Sequence, residues 1–209
     1  MAGILYHIGH GFFQAALPAC FDIKILGRDK LIEEGPSIVV ANHQSFLDPP
    51  LIGGYLFDTP VRFLARHTLW TDSRLLQLIM YMSESIPINQ SRPDPAHLLE
   101  FIRTVRRGER VVIFPEGART PDGVIHDAMP GIGFILSKLT GVPVQPIRID
   151  GAYECLPIHR KSIERHPITL TVGDPIRIPD ELLRAKGREA QRAVGRYVMD
   201  AIRALPTRP

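Results

Sequence analysis

From residue 21 onward, short apolar runs alternate with longer stretches of helical periodicity. This alternation is typical of an α/β domain built around a largely parallel sheet. The candidate strands are Phe21–Leu26, Ser37–Ala41, Val61–Ala65, Arg110–Phe114, Val144–Ile149 and Ile168–Val172. The candidate helices are Phe46–Phe57, Ser73–Met82, Pro95–Arg107, Ile132–Leu139 and Glu181–Leu205. The sequence therefore predicts one α/β domain whose central sheet is flanked by helices.

The first 20 residues are apolar but are interrupted by His7, His10 and Gln14, and no positive charge precedes them. They fit neither a signal peptide nor a crossing helix, which needs roughly 20 unbroken apolar residues. One helical face can collect Ile4, Leu5, Ile8, Phe12, Ala15 and Ala16. A helix in a membrane interface and a helix packed on the core explain this stripe equally well, and Pro18 is expected to end it. We divide the chain into an N-terminal amphipathic helix, residues 1–20, and a domain of residues 21–209.

Composition narrows the class of protein. The 209 residues are 44% hydrophobic and 22% charged, as in globular domains, and carry a net charge of +3. The two cysteines, Cys20 and Cys155, have no spacing typical of a disulfide framework or a zinc site. Basic residues recur on the C-terminal helical pattern at Arg184, Lys186, Arg188, Arg192, Arg196 and Arg203. Because no nucleic-acid-binding motif or aromatic platform accompanies them, anionic lipid is the expected partner rather than nucleic acid.

The first candidate site is the segment NHQSFLD, in which His43 and Asp48 have a His-x4-Asp spacing. It follows the strand Ser37–Ala41, and α/β sheets bind ligands at the carboxyl ends of their strands. The carboxylate can reach back to one imidazole nitrogen and leave the other free to accept a proton. Two observations weaken this interpretation: His67 and Asp72 repeat the spacing, and Asp48 could merely cap a helix together with Ser45.

The second candidate site is the segment FPEGART, which follows the predicted strand Arg110–Phe114. Gly117 permits close backbone approach, Arg119 offers donors suited to a phosphate, and Glu116 can position that arginine or a substrate hydroxyl. A surface turn with a Glu116–Arg119 ion pair is the alternative.

Together, NHQSFLD and FPEGART resemble the lysophosphatidic acid acyltransferase family, the 1-acylglycerol-3-phosphate O-acyltransferases, in order and spacing. Two weaker blocks, IPINQSR from Ile86 and VPVQPI from Val142, extend the similarity over about residues 21–178. The resemblance implies that His43 deprotonates the acceptor hydroxyl and that Asp48 orients and charge-stabilises it. Neither a cofactor nor a metal is implied, and the position of His67 is not a catalytic one in the family.

The resemblance also implies an acceptor site made by Glu116, Gly117 and Arg119, with Arg119 on the phosphate. The chain departs from the family pattern at Ala118, where Thr is frequent, and in Ile88-Asn89-Gln90, where the family more often has Ile-Asp-Arg. Arg92 either replaces the missing arginine or is a solvated loop residue.

Two lesser patterns are given structural roles. Gly131-Ile132-Gly133 lacks a third glycine and does not follow a strand, so it is expected to open a helix rather than to bind a dinucleotide. The pair His126-Asp127 has no third ligand at a suitable spacing and is expected to lie in a loop rather than to hold a metal.

The expected function is therefore transfer of a fatty acyl group from acyl-CoA or acyl-carrier protein to lysophosphatidic acid, which gives phosphatidic acid in phospholipid biosynthesis. The expected location is the cytoplasmic face of a membrane, as a peripheral or monotopic protein. Three alternatives remain: an acyltransferase for another lysophospholipid, a thioester or lipid hydrolase with Ser45 as nucleophile, and a non-catalytic lipid-binding protein. The absence of a Gly-x-Ser-x-Gly elbow argues against the hydrolase.

Overall fold

The computed structural model describes residues 2–67, 80, 85–88 and 95–207, and seven strands in these ranges form one sheet. The strands are β1 Ile23–Leu26, β2 Ser37–Ala41, β3 Arg62–Arg66, β4 Ile86–Ile88, β5 Arg110–Ile113, β6 Val144–Asp150 and β7 Ile168–Val172. Their order is β1-β7-β6-β2-β5-β3-β4, and all neighbours are parallel except β6 and β7. The prediction of an α/β fold with a largely parallel sheet is confirmed.

Helices cover both faces of the sheet. They are α1 Ala2–Cys20, α2 Pro95–Arg106, α3 Pro130–Leu136, α4 Ala152–Cys155, α5 Asp180–Arg184 and α6 Arg188–Arg203, with a π-helical segment at Pro50–Leu56. The single helix predicted for Glu181–Leu205 is wrong, because the chain is extended at Ala185 and Gly187 adopts a φ of 96° between α5 and α6. Of the predicted helix Ser73–Met82, all but Met80 lies outside the described residues.

The sheet has a hydrophobic core on each face, and β2 contributes to both. Its side chains alternate, so that Val39 and Ala41 pack on one face while Ile38 and Val40 pack on the other. All five residues of β2 are buried, and the β-branched Ile-Val-Val run favours the extended backbone. The first face is covered by α1 and the π-helical segment, and the second by α2, α3 and α6. The strand at the centre of the domain is therefore held from both sides.

Helix α1 packs on the domain with one side and exposes another apolar side. Phe13 and Leu17 join the first core, while the imidazole of His10 bonds the carbonyl of Phe57 at 2.9 Å. Ile8 and Phe12, which belong to the stripe predicted from sequence, remain exposed. No helix in the described ranges is long and apolar enough to cross a membrane.

The expectation that Pro18 ends α1 is wrong, since the helix continues to Cys20. The amide of Phe21 donates to the carbonyl of Leu17 at 2.8 Å, and both side chains are buried in the first core. Core packing of this last turn therefore outweighs the one hydrogen bond that a proline removes.

Candidate functional site

Both sequence motifs leave the sheet at the same edge. Strands β2 and β5 are parallel neighbours, with Val40 opposite Ile113 in the register. The chain after β2 begins with Asn42 and the chain after β5 begins with Phe114, so the two motifs meet although more than 70 residues separate them. The carboxyl edge of the sheet is therefore the candidate active site, as is usual for parallel α/β sheets.

Asn42 fixes the direction in which the chain leaves the sheet. Its buried side-chain amide donates to the carbonyl of Ile149 and accepts from the amide of the same residue, both at 2.8 Å. These two bonds extend the ladder between β2 and β6 by a side chain instead of a backbone. Sequence reasoning placed Asn42 in the motif but did not predict this role.

His43 and Asp48 face each other. The imidazole Nδ1 lies 2.7 Å from Oδ2 of Asp48, and the ring stacks on Phe114 with centroids 4.0 Å apart. The side chain of His43 is 18% exposed and Asp48 is fully buried. Since a carboxylate only accepts, the geometry assigns a proton to Nδ1 and leaves Nε2 as the ring nitrogen that can accept one.

Asp48 also organises the backbone around His43. The same Oδ2 accepts from the amides of Gln44 and Ser45 at 2.6 and 2.7 Å. Orientation of the histidine and capping of the turn, which the sequence left as alternatives, are therefore performed by one oxygen. Ser45 is bonded elsewhere, because its hydroxyl donates to the carbonyl of Leu156 at 2.9 Å.

Glu116 holds the two motifs together through backbone amides. One carboxylate oxygen accepts from the amide of His43 at 2.6 Å, and the other accepts from the amide of His126 at 2.8 Å. Burial raises the pKa of Glu116, and these two hydrogen bonds oppose the shift. Among the described residues Glu116 forms no ion pair with Arg119, so neither the positioning of that arginine by Glu116 nor the alternative of a surface salt bridge is found.

The turn after Glu116 needs a glycine. Gly117 has a φ of 73°, and its amide donates to the carbonyl of Phe114 at 3.0 Å. Three residues on, the amide of Thr120 donates to the carbonyl of His43 at 2.8 Å. The second motif thus bonds both the amide and the carbonyl of His43.

Arg119 of the second motif lies against Phe46 of the first motif and is close to a second arginine. Its guanidinium carbon lies 3.4 Å from the ring centroid of Phe46. Burial lowers the pKa of Arg119, the positive charge of Arg66 lowers it further, and the negative charge of Asp48 opposes the shift. Arg66 lies at the end of β3 and was not predicted as a site residue. The sequence motif at this position was the spacing between the neighbouring His67 and Asp72.

The other predicted residues have separate positions. Arg92 and Asp72 lie outside the described residues. His126 lies in a loop as expected, with Nε2 2.8 Å from Oδ1 of Asp122, while Asp127 pairs with Arg203. In the described ranges no group of three or more His, Cys, Asp or Glu residues is arranged to hold a metal ion.

These contacts give the site two chemical capabilities. A neutral imidazole with a buried carboxylate on one nitrogen can take a proton at the other, and the carboxylate then stabilises the imidazolium. The guanidiniums of Arg119 and Arg66 can bind a phosphate group, because each offers a planar set of N–H donors that matches phosphate oxygens.

Comparison with known proteins agrees with this arrangement. A chloroplastic 1-acyl-sn-glycerol-3-phosphate acyltransferase of Brassica napus, BAT2, is 29% identical over 146 residues, which are 68% of this chain and 41% of that protein. The human 1-acyl-sn-glycerol-3-phosphate acyltransferase beta is 30% identical over 142 residues, 66% of this chain and 50% of the relative. The chain thus spans half or less of the length of these curated relatives.

A solved structure extends the comparison to the whole fold. The crystal structure of the 1-acyl-sn-glycerophosphate acyltransferase PlsC from Thermotoga maritima matches with a TM-score of 0.70 and 26% identity, over 99% of this chain and 81% of that one. A family model described as acyltransferase matches residues 22–150, which is more than half of the chain and includes both motifs. The resemblance found in the motifs is confirmed, and the chain belongs to the acyltransferase family.

Proposed function

We propose that the protein acylates lysophosphatidic acid, with acyl-CoA or acyl-carrier protein as donor, and so produces phosphatidic acid. The observation that carries the proposal is the hydrogen bond between Asp48 and the partly exposed imidazole of His43, with the charges of Arg119 and Arg66 close by. The relatives that are named 1-acyl-sn-glycerol-3-phosphate acyltransferases support this acceptor.

In the proposed reaction the free hydroxyl of the lysolipid gives its proton to Nε2 of His43 while its oxygen attacks the thioester carbon. The tetrahedral oxyanion collapses, the carbon–sulfur bond breaks, and the leaving thiolate takes the proton back from the imidazolium. Asp48 stabilises the imidazolium between these steps. General base catalysis of this kind contributes about 100-fold to 10,000-fold. The reaction needs no enzyme nucleophile and no cofactor.

The acceptor phosphate is proposed to lie between Arg119 and Arg66. Repulsion between two guanidiniums is relieved when an anion binds between them, and burial of Arg119 strengthens that attraction. Glu116 and Gly117 act by shaping the turn that presents Arg119. Arg92 remains a candidate for a further phosphate contact.

The protein is proposed to work at the cytoplasmic face of a membrane as a peripheral or monotopic protein. The lysolipid is itself a membrane component, and α1 presents the exposed apolar side chains Ile8 and Phe12 beside a packed face. A helix of this kind lies in the interface rather than across the bilayer.

The assignment of His43 is tested by His43→Ala, with His67→Ala as the matched control. Purified variants are given an acyl-CoA or an acylated carrier protein with lysophosphatidic acid, and the lipid products are measured by mass spectrometry. We expect the first variant to lose phosphatidic acid formation while keeping its fold by circular dichroism, and the second to keep activity. A folded His43→Ala protein with undiminished turnover refutes the mechanism.

The same assay separates the alternatives. Thiol release without acceptor, equal to that with acceptor, would indicate a hydrolase. The hydroxyl of Ser45 is bonded to the carbonyl of Leu156 rather than to His43, so Ser45→Ala is expected to retain acyl transfer. A panel of lysolipids identifies the headgroup, and vesicle binding without transfer from either donor would identify a lipid-binding protein.

A further inference from the structure

The loop between α4 and β7, Pro157–His166, exposes two large aliphatic side chains. Ile158 is 46% exposed and Ile163 is 59% exposed, while the loop begins with a buried proline. Exposed apolar side chains that lie close together on a surface often belong to an interaction site, so the loop is a candidate for one.

The loop is held in shape by its own hydrogen bonds, so the exposure is built in. The guanidinium of Arg160 donates to the carbonyls of Cys155 and Ser162 at 3.0 and 3.1 Å and pairs with Glu164 at 2.9 Å. The amide of Glu164 donates to the carbonyl of Cys155 at 2.9 Å. These bonds close the loop at its base and keep both isoleucines on the outside.

The loop is joined to the C-terminal end of α1. The guanidinium of Arg165 donates to the carbonyls of Cys20 and Ala19 at 2.7 and 3.0 Å. It thereby satisfies carbonyls that a helix end leaves without partners. The loop therefore adjoins the C-terminal end of α1, the helix that exposes Ile8 and Phe12.

The net positive charge of the loop indicates an anionic partner. Helix α1 contains no Asp, Glu, Lys or Arg, and the loop adds three cations and one anion. Because Glu164, the one acidic residue of the loop, is paired with Arg160, Lys161 and Arg165 have no acidic counterpart within the loop. Aliphatic side chains flanked by uncompensated cations are the pattern that binds anionic lipid headgroups.

The loop is also connected to the candidate active site. The hydroxyl of Ser45, two residues from His43, donates to the carbonyl of Leu156, the residue that precedes the loop. The amide of Tyr153 on α4 donates to the side chain of Gln44 at 3.3 Å. A lipid surface in contact with the loop thus lies beside the segment that carries His43.

We propose that the loop Pro157–His166 is a second lipid contact, which inserts Ile158 and Ile163 among anionic phospholipids and, with α1, fixes the orientation of the protein on the membrane. The proposal rests on the membrane location in the proposed function and adds the residues that would set the orientation. Arg165 acts as the link that keeps the loop against the C-terminal end of α1.

The test is binding of the full chain to sedimented vesicles of equal parts phosphatidylglycerol and phosphatidylcholine. Ile158→Asp combined with Ile163→Asp is expected to reduce the fraction bound about tenfold or more, because two half-buried aliphatic contacts are lost and two negative charges are added. Leu99→Asp is the matched control: it is 45% exposed but lies on α2, which packs on the other sheet face. It is expected to leave binding unchanged.

A second measurement reports insertion directly. Ile163→Trp is expected to be quenched by brominated phospholipid in the vesicles, above the signal of the native tryptophan, whereas Leu99→Trp is not. Unchanged sedimentation of the folded double variant, or an equal loss in Leu99→Asp, overturns the proposal, as does absence of extra quenching at position 163.

The outcome is separable from the proposed reaction. With a short-chain lysolipid below its micelle concentration, the double aspartate variant is expected to keep its turnover, since none of its changes touches His43. Loss of vesicle binding with turnover of the soluble substrate intact supports the loop. Absence of turnover in the wild-type protein would reject the proposed function without bearing on the vesicle result.

Discussion

Replacing Asp48 by Asn separates the charge of this residue from its hydrogen bonds. Oδ2 of Asp48 accepts from the imidazole of His43 and from the amides of Gln44 and Ser45. An asparagine can keep its oxygen at this position and accept all three bonds. Alanine cannot, and each buried donor without an acceptor costs about 1–3 kcal/mol. Asp48→Asn therefore tests catalysis with less damage to the fold than Asp48→Ala.

The expected loss follows from the electrostatics of the pair. An imidazolium and a carboxylate about 4 Å apart attract each other by about 4 kcal/mol at an effective dielectric constant of about 20. If this attraction is present in the transition state and absent before the proton is transferred, its removal slows kcat roughly 1,000-fold. The amide nitrogen of the asparagine would occupy the position of Oδ1, which accepts no hydrogen bond from the described residues. This buried amide would lack an acceptor and would lower the free energy of unfolding by about 1–3 kcal/mol, whereas Asp48→Ala would leave three donors without an acceptor.

The assay measures kcat for acyl transfer at saturating donor and acceptor, together with urea denaturation. Asp174→Asn is the matched control, because it makes the same chemical change at an exposed carboxylate that pairs with Lys30. It is expected to keep full activity. A folded Asp48→Asn protein with kcat within tenfold of the wild type would refute the role given to the carboxylate.

Three further changes test the surroundings of the site. Burial raises the pKa of Glu116 above 4.5, so protonation of this carboxyl favours the folded state. The resulting contribution to the free energy of unfolding is complete below pH 4.5 and is lost as the pH rises through the folded-state pKa. Urea denaturation should therefore show the wild type gaining stability relative to Glu116→Gln as the pH falls towards 4.5. Arg203 donates to the carbonyl of His126, whose amide donates to Glu116. Arg203→Ala is expected to raise the acceptor KM about fivefold, which corresponds to about 1 kcal/mol for the lost hydrogen bond. The exposed Arg196→Ala is expected to leave KM unchanged. Gly133→Ala should lose about 1–3 kcal/mol of unfolding free energy, since its Cβ would meet the backbone of α6, whereas Gly131→Ala, with open space around it, should not.

The parts of the fold that depend on local pattern were predictable from sequence. The buried run Ser37–Ala41 is apolar over its central residues and stands before a polar motif, so both β2 and the position of His43 at its end followed. Gly187 could have indicated that the helix is interrupted before α6. A single helix was predicted instead, because the apolar periodicity continues across this glycine. β4 was missed because it has three residues and contains Pro87, which suits an edge strand and gives no periodicity.

The contacts that depend on strand register were not predictable. The spacing of His43 and Asp48 can be read within one motif, whereas the bond from the amide of His43 to Glu116 spans 73 positions. It exists because β2 and β5 are parallel neighbours in a particular register. Arg66 lies close to Arg119 for the same reason, since β3 pairs with β5 and ends at the same edge of the sheet. No feature of Arg66 in the sequence distinguishes it from other arginines.

The register also explains why the chain needs both motifs for one histidine. The carboxylate of Glu116 holds the amide of His43, and the amide of Thr120 holds its carbonyl. Asp48 holds the ring itself, so the residue is restrained at its backbone by one motif and at its side chain by the other. A base must keep its free nitrogen within hydrogen-bond reach of the hydroxyl it deprotonates, and an error of about 1 Å can cost about 100-fold in rate. The second motif therefore positions the proposed base in addition to its proposed role in phosphate binding, and substitutions at Glu116 should lower kcat as well as raise the acceptor KM.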